Sequence, residues 1–517
     1  MTRPPIWVAV FLTSLVLLQF SAVDAGAAGR GGNASRDGAA PNGEPNPVVT
    51  PATGGQGQAS GGIRYDVTQF GYEEREYLFG GTAKAYGPVS MPPSPYRSRM
   101  IVWAPKDPSR FNGTTVVEWA EVSDFGQFEL TVELNYESPM LEQQGYAFVL
   151  VSAEQRGVCD HTPTGCTPTS LQGADPGRYG SLEHPGDAYS FDIFSQAMQA
   201  IRHPVGTAPL GTLKTLILIA EGFQRSVDKY FPTGAPAPSS PSSSPFGNYG
   251  PLNDYLANGA DRDARLADAF LIDAAAPAVE PDYRVPTLHH LDESAIRRTP
   301  TPDRRNHVTW EITGAPHADP WSGGYFDIPS TDGPKPKGTR AEELARRDKY
   351  DNFGQEAFAP GDVGTPAPST GSKFPRRFTL NAAVIDLRTW VAKGVRAPAA
   401  PRIERTAAVP DTPTRKLDRD RDGNAIGGLR SPIIQVPFAT YNGEASVSSG
   451  TTIPFPPERI AQLYPTHKSY VRRLLAATNK AVDDRFLVCQ DAETIMRKAS
   501  ATTVGGPDPF TAAPSCA

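Results

Sequence analysis

The residues with the clearest chemical potential lie in three short segments, each directly after an apolar, strand-like run. The first run, 216–220, leads into Gly222-Phe223-Gln224-Arg225-Ser226. This spacing fits the sharp strand-to-helix turn that presents a nucleophile between small residues, but Gln224 occupies the position of the nucleophile. Because a glutamine amide cannot attack an ester as an alkoxide can, Ser226 is the substitute that this segment offers.

The other two segments supply carboxylates and an imidazole. Asp292 and Glu293 close the run 285–291, and His317 follows the run 308–312 in a loop that contains Gly and Pro. Acyl transfer needs a nucleophile, a base that takes its proton and an acid that orients the base. The order nucleophile, acid, histidine is the one found in α/β-hydrolases. We therefore expect His317 to be the base, with Asp292 or Glu293 as the acid.

These residues also have structural interpretations. His317 could be an ordinary surface-loop histidine, and Asp292 with Glu293 could form a solvated acidic turn. The acidic stretch 418–423 resembles the start of a calcium loop, but Leu429 stands where such a loop needs its bidentate glutamate. The sequence therefore predicts no metal and no other cofactor.

The elements around these segments alternate between two periodicities. β-branched or apolar runs predict strands, and segments with helical spacing alternate with them. The predicted strands are 99–104, 114–119, 146–152, 216–220, 267–274, 285–291 and 308–312, and the predicted helices are 137–144, 188–201, 378–394 and 468–481. Such alternation predicts an α/β fold with a mostly parallel central sheet flanked by helices and joined by long Pro/Gly-rich loops. Ligands of such sheets bind at the carboxyl ends of the strands, where all three segments fall.

The two ends of the chain differ in composition from its centre. Arg3, the apolar run 6–20 and Val23-Asp24-Ala25 predict a secretory signal peptide over 1–25, since the run is short for a membrane anchor. A secreted or periplasmic location follows. We expect a disordered leader at 26–62, a hydrolase-like α/β domain at 63–500 with a loop insertion at 232–251, and a tail at 501–517. The net charge of −6 gives no indication of a nucleic-acid partner.

The four cysteines are consistent with export. Cys159 and Cys166 flank a Pro- and Gly-containing turn, whereas Cys489 and Cys516 bracket the C-terminal tail. An oxidising compartment favours the disulfides Cys159–Cys166 and Cys489–Cys516, with other pairings or free thiols as alternatives. Neither pair has the spacing of a zinc site.

Several long motifs make the chain similar to the secreted "α/β-hydrolase domain-containing" family, an esterase-like group with a G-x-S-Q-S elbow and an AHAD-type histidine loop. The similarity extends over residues 63–500, and 178–196 is its most specific part. The motifs that carry it are 110–119 with Val122-Ser123, 142–157, 178–196, 310–319 and 422–432.

The resemblance implies a Ser–acid–His triad and a secreted carboxylic-ester hydrolase that acts on a small-molecule ester, without a cofactor and without a membrane partner after signal cleavage. His317 falls on the family histidine, Glu293 or Asp292 on the acid, and Gln224 on the serine, so that Ser226 becomes the substitute nucleophile. Gln224 favours the alternative of a catalytically inactive homologue that acts as a binding or scaffold protein.

Overall fold

The computed structural model describes residues 46–63, 65–87, 90–122, 129–223, 251–276, 283–296, 300–319, 321, 338–358, 371–406, 417–445 and 449–516. They belong to the larger of the two units into which the chain divides, Gly38–Ala517, the other being Met1–Asp37. The predicted signal peptide, Gln224, Ser226 and the predicted insertion up to residue 250 lie outside the described residues.

A ten-stranded sheet forms the centre of the described part. Its strands are β1 (Val48–Pro51), β2 (Tyr72–Ala83), β3 (Ser94–Pro105), β4 (Thr114–Trp119), β5 (Ala147–Val151), β8 (Val205–Gly206), β9 (Ile217–Phe223), β10 (Ala269–Asp273), β11 (Thr287–Leu291) and β12 (His307–Glu311). Two separate hairpins consist of β6 (His161–Thr162) with β7 (Gly165–Cys166), and of β13 (Ala439–Asn442) with β14 (Thr451–Pro454).

The strands follow the order β12-β11-β10-β9-β4-β5-β3-β2-β1-β8. From β5 through β4, β9, β10 and β11 to β12 every neighbouring pair is parallel. Strand β3 is antiparallel to both β5 and β2, and β1 is antiparallel to β2. This mostly parallel sheet confirms the predicted α/β fold class.

Helices lie along the chain between and after these strands. They are α1 (Glu133–Gln144), α2 (Gln155–Val158), α3 (Leu171–Ala174), α4 (Pro176–Tyr179), α5 (Ser190–Arg202), α6 (Pro251–Ala257), α7 (Ala260–Ala264), α8 (Arg340–Tyr350), α9 (Arg377–Lys393), α10 (Pro432–Gln435), α11 (Pro457–Leu463), α12 (His467–Asp483) and α13 (Cys489–Ser500). Short 3-10 turns cover Val67–Phe70, Pro108–Arg110, Asp187–Tyr189 and Gln355–Phe358. Among the described residues, no helix combines the length and the apolar character that crossing a bilayer requires.

Helices cover both faces of the sheet. Successive side chains of a strand point to opposite faces, so neighbouring residues of the central strands pack against different helices. Val116 and Ile219 belong to one hydrophobic cluster with residues of α1, α9, α12 and α13. Val117 and Ala220, one residue further along the same strands, belong to a second cluster with residues of α5, α6 and α7. The central strands are therefore packed against helices on both faces.

The N-terminal part of the sheet differs from the expectation. Residues 48–51 form β1, although the segment 26–62 was expected to be a disordered leader, because Val49 is buried and the strand pairs with β2. Strand β2 carries Glu73, Glu74 and Arg75 in its first half, so it lacks the apolar run that identifies a strand in the sequence. The sheet consequently begins before the expected boundary at residue 63.

Both expected disulfides are confirmed. Cys159 pairs with Cys166 and Cys489 with Cys516, with Cα separations of 5.0 and 5.7 Å. The first bridge closes the β6–β7 hairpin, and the second ties the C-terminal tail to the first residue of α13.

Buried carboxyl groups gather between the sheet and α1. Glu118 and Glu221 are paired neighbours on β4 and β9. Glu118 accepts hydrogen bonds from the backbone N–H groups of Val132 at 2.6 Å and Leu134 at 3.1 Å, which belong to the otherwise unsatisfied first turn of α1. The members of this acidic cluster, all buried, are Glu118, Glu133, Glu137, Glu221 and Asp273.

These groups differ in how their charge is compensated. Burial raises the pKa of Glu118 to about 8, and it raises the pKa values of Glu133, Glu137 and Glu221 well above their ordinary range. For Asp273, burial is outweighed by the Arg376 guanidinium and by His290, and the pKa is lowered. At neutral pH the cluster therefore retains protons that the unfolded chain would release.

The acidic cluster should make the protein less stable as the pH rises. A carboxyl group whose pKa is higher in the folded state stabilises fully below its unfolded pKa, about 4.3, and loses that contribution above it. We expect the free energy of unfolding in urea to fall between about pH 5 and about pH 9, by up to about 1.4 kcal/mol per pH unit for each such group. Glu137→Gln should flatten this slope, because the amide donates a hydrogen bond without ionising.

Glu404→Gln, on an exposed side chain, is the matched control and should leave the slope unchanged. Equal slopes for Glu137→Gln and the unmodified protein would contradict the assignment of protons to this cluster.

Candidate active site

The predicted acid and histidine lie at neighbouring strand ends. Asp292 directly follows β11, and His317 lies six residues after the end of β12. Because β9, β10, β11 and β12 run parallel, their carboxyl ends share one edge of the sheet. Phe223, the last residue of β9, lies at this edge too.

The structure brings His317 and Asp292 into contact beside the end of β9. The Nδ1 atom of His317 lies 3.2 Å from Oδ2 of Asp292. The imidazole centroid lies 4.5 Å from the ring centroid of Phe223. The side chain of His317 is 11% exposed, whereas that of Asp292 is 0% exposed. With Nδ1 directed to the carboxylate, Nε2 is the nitrogen that exchanges protons in an arrangement of this kind.

The environment of Asp292 keeps its carboxyl group ionised. Its Oδ1 atom accepts hydrogen bonds from the backbone N–H groups of Ser294 at 2.7 Å and Ala295 at 3.1 Å. Burial alone would raise the pKa of Asp292, but the hydrogen bond and charge of His317 and the charge of Arg376 hold this pKa well below its ordinary range. A permanent anion at this position favours the imidazole tautomer with its proton on Nδ1.

Glu293 faces different partners. Its Oε1 atom accepts from the backbone N–H of Gly314 at 2.7 Å, and its Oε2 atom accepts from Gly443 and from Arg419, both at 2.9 Å. Burial raises the pKa of Glu293 in spite of the nearby Arg419 charge. Glu293 thus ties the histidine loop to the turn after β13. Of the two candidate acids, Asp292 is the one whose carboxylate contacts the imidazole of His317.

The candidate nucleophiles follow directly on a described residue. Gln224 and Ser226 lie outside the described residues, one and three positions after Phe223. The segment that carries both candidates therefore starts at a residue whose ring contacts the imidazole.

Arg376 is a site residue that the sequence did not indicate. Its guanidinium is buried and donates to the backbone carbonyl of His317 and to the carboxylate of Asp273. The only sequence signal is a pair of arginines at the start of the predicted helix 378–394, and charged residues at helix starts are common. Arg376 and His317 are 59 positions apart in the sequence, and no local motif links them.

The carboxylates of the calcium-like stretch 418–423 pair with arginine side chains. Asp422 accepts from Nε and Nη2 of Arg459 at 2.8 and 2.7 Å. Asp420 pairs with Arg430 at 3.3 Å and also accepts the backbone N–H groups of its own turn. These contacts describe an acidic turn neutralised by neighbouring cations.

Comparison with known families agrees with this architecture. A family described as "Alpha/beta hydrolase domain" matches residues 44–497, which is most of the chain and includes β1. The chain therefore belongs to this family, and its sheet has the α/β-hydrolase fold.

Solved structures with a similar arrangement include several hydrolases. The structure of esterase Est22 is 8% identical with a TM-score of 0.24, covering 44% of this chain and 67% of its own. XC6422 from Xanthomonas campestris, a serine hydrolase without a lid, is 15% identical with a TM-score of 0.23, covering 45% and 84%. An α-β serine hydrolase homologue from Coxiella burnetii is 11% identical with a TM-score of 0.23, covering 45% and 86%. No curated protein sequence is significantly similar. These likenesses are too distant to indicate a function.

A double-mutant cycle should distinguish the two carboxylates without any activity measurement. For His317→Ala combined with Asp292→Asn, we expect a coupling in the free energy of unfolding of about 1.5 kcal/mol, typical of a hydrogen bond to a charged group. His317→Ala with Glu293→Gln should couple by less than about 0.5 kcal/mol, since the side chains do not pair. A larger coupling in the Glu293 cycle would reverse the assignment.

Proposed function

We propose that this member of the α/β-hydrolase family is an exported carboxylic-ester hydrolase in which His317, oriented by Asp292, acts as the general base. The observation that carries the proposal is the 3.2 Å contact between His317 Nδ1 and Asp292 Oδ2 beside the last residue of β9. A buried carboxylate behind a partly exposed imidazole is the arrangement that acyl-transfer chemistry requires of its base.

Ser226 is the proposed nucleophile. Its hydroxyl oxygen attacks the ester carbonyl while His317 Nε2 takes the hydroxyl proton, which it then delivers to the departing alkoxide. Water, deprotonated by the same nitrogen, releases the acid from the acyl-enzyme and restores the serine. Asp292 stays ionised throughout and stabilises the imidazolium, which agrees with its lowered pKa.

The substrate class is a small-molecule carboxylic ester. The family membership and the acid–base pair support ester chemistry. The Phe223 ring next to the imidazole offers an apolar contact for the acyl or alcohol part of the ester. No cofactor takes part in the steps proposed for Ser226, His317 and Asp292.

Export to an extracellular or periplasmic compartment is part of the proposal. The signal-like segment 1–25 and the disulfides Cys159–Cys166 and Cys489–Cys516 support it, since disulfides persist in oxidising compartments. The second candidate function is a catalytically inactive homologue that binds ligands or partners. Gln224, at the position where the elbow consensus has its nucleophile, favours this alternative.

A fluorophosphonate probe tests the proposal, because it labels only a serine that a neighbouring base activates. We expect labelling at Ser226, found by peptide mapping, and loss of labelling in Ser226→Ala and His317→Ala. Asp292→Asn should slow labelling by about ten-thousand-fold, the loss expected when the imidazole adopts the wrong tautomer. Glu293→Gln serves as the matched control and should be labelled at close to the normal rate.

Absence of labelling in a correctly folded, disulfide-bonded protein, together with no hydrolysis of p-nitrophenyl acetate, would contradict the esterase proposal and favour the inactive homologue.

Gln224→Ser tests the register of the elbow. If residue 224 occupies the nucleophile position, the new serine should itself be labelled, and this labelling should also depend on His317. The variant Gln224→Ser/Ser226→Ala isolates this signal. A double variant that remains unlabelled while it folds normally would show that residue 224 does not face the base.

A further inference from the structure

The geometry points to Arg376 as a positioning residue for His317, acting through the backbone of the histidine loop and anchored from behind by Asp273. The inference concerns how the imidazole is held, and it rests on the proposed function only for the meaning of His317 as a base. Its foundation is a single buried guanidinium that contacts both the histidine loop and the sheet.

Arg376 holds the histidine loop at two points. Its Nη1 atom donates to the backbone carbonyl of His317. Its backbone N–H donates to Oδ2 of Asp319 at 3.2 Å, two residues further along the same loop. The other carboxylate oxygen of Asp319 accepts from the hydroxyl of Tyr136 at 3.0 Å and from the backbone N–H of Trp321 at 3.0 Å. Arg376 therefore holds the loop at residue 317 and again at residue 319.

The guanidinium is in turn fixed by the sheet. Its Nη2 atom donates to Oδ2 of Asp273, the last residue of β10. The Oδ1 atom of the same carboxylate lies 2.8 Å from Nδ1 of His290 and accepts the backbone N–H of Ala274 at 2.9 Å. Nε2 of His290 lies 2.8 Å from the hydroxyl of Thr379 in α9. This chain of contacts connects β10, β11 and α9 to the loop that carries His317.

The Asp273–His290–Thr379 array has the residue types of a catalytic triad but a structural role. Asp273 and His290 are 0% exposed, and their polar atoms contact each other, Arg376 and Thr379. The Thr379 hydroxyl also contacts the carbonyl oxygen of Arg376 at 3.0 Å, one helical turn back. The array therefore anchors Arg376 from two directions.

Charge explains why an arginine serves here. A buried cation is tolerated only where anions and carbonyl groups satisfy it, and the planar fork of a guanidinium fixes the angle between two acceptors. Burial would lower the pKa of Arg376, but Asp273, Asp292 and Asp319 raise it above its ordinary value, so the charge is permanent. The same charge helps to keep Asp292 ionised. A lysine at this position could contact one acceptor but could not span both.

Arg377 provides a matched control in the next position of the chain. It is buried like Arg376 and pairs with Asp351 at 2.6 Å and Asp491 at 2.8 Å. Its guanidinium also lies over the rings of Trp321 and Phe378, 4.6 Å from each centroid, whereas the guanidinium of Arg376 donates to His317 itself. Arg376→Lys and Arg377→Lys thus remove equivalent buried forks, and both should destabilise the fold, but only the first should disturb His317.

The test is the tautomer of His317, measured by nitrogen-15 NMR on the full-length, histidine-labelled protein with His317→Ala for assignment. In the unmodified protein we expect the Nδ1–H form, hydrogen-bonded to Asp292. Arg376→Lys should give a mixture of the two tautomers, whereas Arg377→Lys should keep the original spectrum. An unchanged spectrum in Arg376→Lys, or an equal change in Arg377→Lys, would overturn the inference.

Asp273→Asn keeps the test decisive if Arg376→Lys does not fold. This change weakens the anchor while Arg376 itself remains, and it should shift the tautomer in the same direction but less far. An unchanged spectrum in folded Asp273→Asn counts against the inference.

The NMR readout needs no activity, so the inference and the proposed function can fail separately. A tautomer shift without any fluorophosphonate labelling would retain Arg376 as the positioning residue of an inactive homologue. If the protein is active, kcat should fall at least about tenfold in Arg376→Lys with a smaller change in KM, because a displaced base affects the chemical step more than binding.

Discussion

The contact between His317 and Asp292 is the interaction on which the functional interpretation of this protein depends. It forms because β11 and β12 are parallel neighbours, so that the loops after them leave the same edge of the sheet. Asp292 on the first loop and His317 on the second are therefore close to each other in space. Phe223, the last residue of β9, lies at the same edge, because β10 alone separates β9 from β11.

Around this contact the protein buries several carboxyl groups. Asp292, Glu293 and Asp273 are all inaccessible to solvent, and each is compensated differently. Asp292 is held by His317 and backbone amides, Asp273 by Arg376 and His290, and Glu293 by Arg419 and two glycine amides. Such groups are costly to bury unless partners satisfy each charge, and here the partners connect the loops after β11 and β12 to the rest of the fold. These contacts suit a base that must be oriented before a substrate arrives.

The acidic cluster behind α1 illustrates the opposite solution. Glu118 receives the free amides of a helix start, and Glu133, Glu137 and Glu221 have mainly each other. All four keep protons instead of acquiring counter-ions. The protonated glutamates therefore lie beside an ionised carboxylate, that of Asp273, which pairs with Arg376. A buried carboxyl group is ionised or protonated according to whether a cation is within reach.

Much of the sheet could be predicted because its central strands are short apolar runs bounded by turns. Strands β4, β5 and β9 to β12 were all recognisable, whereas β2 was not, since its charged side chains hide the pattern. The order of Asp292 and His317 along the chain was informative for the same reason. The choice between Asp292 and Glu293 was not, because adjacent residues leave a strand in opposite directions and distant groups such as Arg419 select between them. Arg376 reaches His317 through tertiary packing alone, which no local spacing encodes.

The most direct test of the account is a crystal structure of the protein after treatment with a small fluorophosphonate. The account predicts a phosphoryl group bonded to Ser226, with its oxygen atoms next to Nε2 of His317 and with Nδ1 of that ring still bonded to Asp292. A fully treated crystal without an adduct, or with the adduct on a serine remote from His317, would contradict it.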